Sequence, residues 1–81
     1  MTKKNNLEKF LLKNSKKVFK NIIFYLEKNN MTQSELSEKI GTIPSTLCRS
    51  LKNLEIGKPI SSETLFKIAY GLDLEVSELF K

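Results

Sequence analysis

With 81 residues, 40% of them hydrophobic and 28% charged, the chain has room for one domain and enough apolar side chain to close a single core. It has no histidine and one cysteine, Cys48, which excludes an internal disulfide, nearly every zinc ligand set and every nucleophile that relies on an imidazole base. A non-enzymatic protein of the reducing cytoplasm is expected, with no cofactor or metal, and with neither a secretion signal nor a membrane span.

The formal charge of +5 is unevenly spread. Residues 1–20 hold seven lysines (Lys3, Lys4, Lys9, Lys13, Lys16, Lys17 and Lys20) against Glu8, whereas the other sixty-one residues carry a net −1. Such a lysine run attracts a polyanion and releases its counterions, or else simply solvates a surface. Residues 1–17 read as a basic arm, with a short amphipathic turn or two at Leu7, Phe10, Leu11 and Leu12 that breaks off near Asn14 and Ser15.

From residue 18 the apolar residues recur at three and four, so residues 18–81 are expected to be all-α. Val18, Phe19, Ile22, Ile23, Tyr25 and Leu26 make a first helical stripe, closed by Asn29 and Asn30. Thr32 supplies an N-cap and Glu35 completes a capping box, opening a short helix whose inner face is Leu36 and Ile40 and which Gly41 ends. A third helix starts around Pro44, where a missing N–H costs nothing, and runs through Leu47 and Leu51 towards Leu54. A fourth is capped by Ser61 or Ser62 and carries Leu65, Ile68, Ala69 and Leu72, with Gly71 near its end. A fifth, short helix spans Glu75 to Phe80. The lone Cys48 reads as a packing residue, and the aromatics Phe19, Phe24, Tyr25, Phe66 and Tyr70 as core or interface residues at helical spacing.

Two short helices joined through a glycine and a three-residue turn make a helix-turn-helix, whose second helix fits a major groove about 12 Å wide. The run Thr32-Gln33-Ser34-Glu35-Leu36-Ser37, with Gly41 and Thr46-Leu47-Cys48-Arg49, resembles the signature of the Cro-type, Xre-like phage-repressor family. Residues 63–72 and 76–80 are similar to that family's fourth and fifth helices. The resemblance implies a five-helix, lambda-repressor-like DNA-binding domain over residues 18–81, and a bacterial or phage transcriptional regulator that represses as a homodimer on an inverted repeat. It implies that Gln33 positions the DNA backbone and that Thr42, Pro44, Ser45 and Arg49 meet the groove, with Thr46 and Lys52 near phosphates. Arg49 is the leading base reader, since its fork matches guanine O6 and N7; the alternative is a phosphate grip.

Lys3, Lys4, Lys16 and Lys17 would extend the DNA contact through phosphates. Val76, Leu79 and Phe80 either form the dimer interface or cap the domain's own core. Double-stranded DNA and a second copy are the expected partners. The alternative is a protein-interaction module or antitoxin with another protein as its main partner, in keeping with the near-neutral charge of residues 21–81. Membrane-surface binding by residues 7–13 is disfavoured by the shortness of that piece.

Overall fold

The computed structural model describes residues 3–81, with side chains from Asn6 onwards. Among the described residues there are four α-helices, α1 (Lys3–Lys28), α2 (Gln33–Lys39), α3 (Pro44–Glu55) and α4 (Ser62–Gly71), then a 3-10 helix at Val76–Phe80, and no strand. The last element is thus a tight 3-10 coil, where a fifth short helix was expected.

The expected arm does not separate from the domain. α1 is one helix of 26 residues, about 39 Å long at 1.5 Å per residue, and it accounts for most of the molecule's 44 Å long axis. The sequence suggested a break at Asn14 and Ser15, but nothing there forces one. The Asn14 amide donates to the Phe10 carbonyl one turn back at 2.8 Å, and Ser15 is small enough to be buried against the body. Leu7, Leu11, Ser15, Val18, Ile22 and Leu26 then form one stripe at spacings of three and four along the whole helix. The weak helix propensity of Asn and Ser costs only tenths of a kcal/mol each.

Each helix end has a local cause. Asn30 takes a φ of 56°, and Met31 N–H donates back to the Leu26 carbonyl at 2.9 Å, which stops α1. The capping box of α2 is present: Glu35 N–H donates to Thr32 Oγ1 at 3.1 Å and Thr32 N–H to Glu35 Oε1 at 2.8 Å. Gly41, at φ 71°, ends that element, with Thr42 N–H donating to Ser37 O at 2.8 Å. Pro44 opens α3, and Ser61, rather than Ser62, caps α4 by accepting from Thr64 N–H at 3.2 Å.

Gly71 does not turn the chain after α4; Asp73 does, at φ 58°. Gly71 instead lets α4 approach α2, because a methyl group there would run into the side chains of Leu36 and Ile40.

The core joins α1 (Val18, Ile22, Leu26) to Leu36, Leu47, Leu51, Leu54, Ile68 and Leu72. α1 packs on α3 and on the 3-10 helix, and α2 packs on α3 and α4. Leu79 is 0% exposed within this core, so it cannot line a dimer interface. Val76 packs against the core as well, and only Phe80 of that expected trio is exposed. The terminal segment is pinned to α1: Asn21 Nδ2 donates to the Leu79 carbonyl at 2.9 Å, and Tyr25 Oη to Glu78 Oε1 at 3.2 Å.

Candidate nucleic-acid interface

α3 has two unlike faces. Leu47, Leu51 and Leu54 are buried and fix the helix against α1 and α2. At about 100° per residue, Ser45, Arg49 and Lys52 fall within roughly 60° of one another on the opposite side. All three are exposed. Among the described residues neither Arg49 nor Lys52 has a carboxylate partner within ion-pair distance. Two donor-bearing cations and a hydroxyl on one rigid helix can bond acceptors arrayed along a groove without first breaking contacts of their own.

The other expected contact residues surround this face. Gln33 is exposed in the first turn of α2, Pro44 is exposed at the start of α3, and Thr42 is half-buried in the turn between the two helices. Thr46 is exposed one turn before Arg49 and about 60° around the helix from it, at the edge of this face. The turn is held by Thr42 N–H to Ser37 O, with Ser37 itself buried and its hydroxyl donating to Ser34 O at 2.7 Å. Ser37 stood in the motif without an assigned role; its small side chain is what fits where α2 meets the body.

Cys48 is not a packing residue, because it is exposed on α3 one step from Arg49. Ile43 and Ile56 are also exposed, just before and just after α3. Sequence reasoning passed over both, although Ile56 lies opposite Leu47 on the helical wheel and so on the outward side. Phe24, Phe66 and Tyr70, read as core or interface residues, are exposed, so they are not part of the core.

The side chains of Lys3 and Lys4 lie outside the described residues. Lys16 and Lys17 are both exposed on α1, but on different flanks. Lys16 is one turn on from Leu12, which touches Gly57 just past α3; Lys17 is one turn before Asn21, which binds the 3-10 helix. Lys9, Lys13, Lys16 and Lys20 form a stripe centred opposite Val18 and Ile22, directed away from the core.

Among the described residues no group of three or more His, Cys, Asp or Glu side chains comes together, and no helix is long and apolar enough to cross a membrane. No family model, curated protein or solved structure matches the chain.

Proposed function

We propose that the chain is a sequence-specific DNA-binding regulator of transcription, a repressor of the Cro-type, Xre-like kind, which lays α3 in the major groove and binds an inverted repeat as a homodimer. The observation that carries this reading is the outward face of α3. Ser45, Arg49 and Lys52 are exposed together on a helix whose other side is anchored by three buried leucines. Arg49 reads a guanine through O6 and N7, and Lys52 and Thr46 hold phosphates on either side of it. Gln33, at the start of α2, positions the backbone, and Thr42, Pro44 and Ser45 line the entry of α3.

The lysine stripe of α1 raises the local concentration of nucleic acid and speeds encounter. Titration of labelled duplex DNA by fluorescence anisotropy tests the reading. Binding should weaken steeply with added salt, and Arg49→Ala with Lys52→Ala should weaken it further. Salt-insensitive binding, or none, would overturn it.

A second reading, a protein-interaction module or antitoxin, is favoured by one observation. Phe66 and Tyr70 stand exposed one turn apart on α4, a pairing better suited to a protein surface than to DNA. Salt-insensitivity together with a stable complex involving that α4 face would support it.

A further inference from the structure

The first turns of α1 carry more apolar surface than the chain itself covers. Leu7 is 56% exposed and Phe10 63% exposed, and Leu11 and Leu12 are exposed beside them. Leu11 and Leu12 line an apolar groove in two parts that share Leu11 and Pro59, and Leu7 and Phe10 stand exposed on the same turns of α1 without lining it. One part, about 600 Å³ and open to solvent, runs between Leu12 and Gly57; the other, about 130 Å³, reaches Phe80, itself 48% exposed. The exposed portions of Leu7, Phe10, Leu11, Leu12 and Phe80 amount to roughly 450 Å² of apolar side chain, comparable to the largest patch a monomer ordinarily leaves in water.

We infer that a second copy of the chain docks on this face, the two α1 overhangs crossing antiparallel about a two-fold axis so that Leu7 and Phe10 of each enter the other's groove. The area is adequate: two such patches remove roughly 900 Å² of apolar surface, enough for the core of an interface of about 1,600 Å² with a polar rim.

The charges choose the occupant. Glu8 is the one acid in residues 1–20, and it lines the groove together with Lys9 and Lys58. A two-fold interface sets different residues of the same patch against each other, so each Glu8 comes to the lysines of the other copy. An acidic partner protein would satisfy Lys9 and Lys58 but would leave Glu8 facing like charge. Of the α1 lysine stripe only Lys9 lines the groove; Lys13, Lys16 and Lys20 lie outside it and stay clear of this interface.

This surface replaces the Val76, Leu79 and Phe80 interface, of which Phe80 alone is retained. The inference supplies the dimer of the proposed function without resting on DNA binding, so the two fail separately.

Sedimentation equilibrium of the full chain, without DNA, from low to high micromolar concentration is the test. The wild type should dimerise, and both Leu7→Lys with Phe10→Lys and Phe80→Lys should raise the dissociation constant at least tenfold with an unchanged helical circular-dichroism spectrum. Phe66→Lys with Tyr70→Lys, an exposed aromatic pair outside the groove, should leave the dimer intact. A wild type that stays monomeric, a dimer that survives the groove variants, or one weakened equally by the control pair would overturn the inference. Should the double variant alter the helix spectrum, Phe80→Lys, which lies outside α1, decides alone.

Discussion

Gly57 and Leu12 meet face to face: a methyl group on Gly57 would overlap the Leu12 side chain, so the end of α3 and the first half of α1 are in direct contact. Gly57 also holds a φ of 94°, a conformation that side-chain-bearing residues rarely adopt. The contact fixes the overhanging part of α1 against the body and so sets the shape of the groove. Gly57→Ala should therefore cost roughly 1–3 kcal/mol, from overpacking and backbone strain together. Urea unfolding of Gly57→Ala with and without Leu12→Ala separates the two, since removing Leu12 should relieve the overlap and leave the strain. Equal costs in both backgrounds would mean that the two residues do not touch.

The capping box at the start of α2 holds the helix that braces α3. Thr32→Ala removes the acceptor for Glu35 N–H and should destabilise the domain by about 1 kcal/mol. Thr32→Ser should restore most of that. Amide exchange at Glu35 gives a local readout, and unchanged protection in Thr32→Ala would contradict the cap's role.

Glu78 provides a pH dependence. The Lys81 ammonium, which donates to it at 3.0 Å, and then the Tyr25 hydroxyl hold its carboxyl below the usual carboxylate range. A depressed folded-state value means the stabilisation is present above the ordinary carboxylate pKa and is lost as pH falls through the folded one. The same contact raises Lys81, whose share is lost only as pH rises through the lysine range. Glu78→Gln should thus be less stable than wild type at neutral pH, with the difference closing in acid. A difference that is constant with pH would show that the carboxylate's charge is not involved.

Much of the fold could be read from the chain because its signals are local. Thr32 and Glu35, Gly41, Pro44 and Asn30 each act within four or five residues, and each stands where those spacings put it. The outward position of Arg49 followed from the leucine spacing of α3 in the same way. What escaped depends on contacts distant in sequence. Asn14 and Ser15 look like helix breakers until Ser15 is seen buried against the body, and the packing role of Gly71 shows only once α2 is placed beside it. Leu79 resembles an interface residue until the chain's end is folded back onto Asn21 and Tyr25, more than fifty residues earlier. Cys48 and Ile43 are exposed although their side chains are apolar, and no local pattern announces that, whereas the exposure of Ile56 was legible in its place opposite Leu47.

The lysines of α1 should not contribute equally to DNA affinity. Lys16 lies on the flank that leads to the end of α3, whereas Lys17 lies on the flank of the 3-10 helix. Lys16→Ala should reduce the slope of log affinity against log salt by about 0.9, the value of one phosphate contact, while Lys17→Ala leaves it unchanged. Equal effects of the two substitutions would show that α1 attracts DNA only through its overall charge.

The most direct measurement is selection of bound duplexes from a random DNA pool, wild type beside Arg49→Ala, at about 150 mM salt, where non-specific binding is suppressed. A DNA reader with Arg49 at its centre enriches an inverted repeat with half-sites about 34 Å apart, and loses its preference for one guanine per half-site in the variant. Failure of the wild type to enrich any sequence would contradict the DNA-binding role of α3.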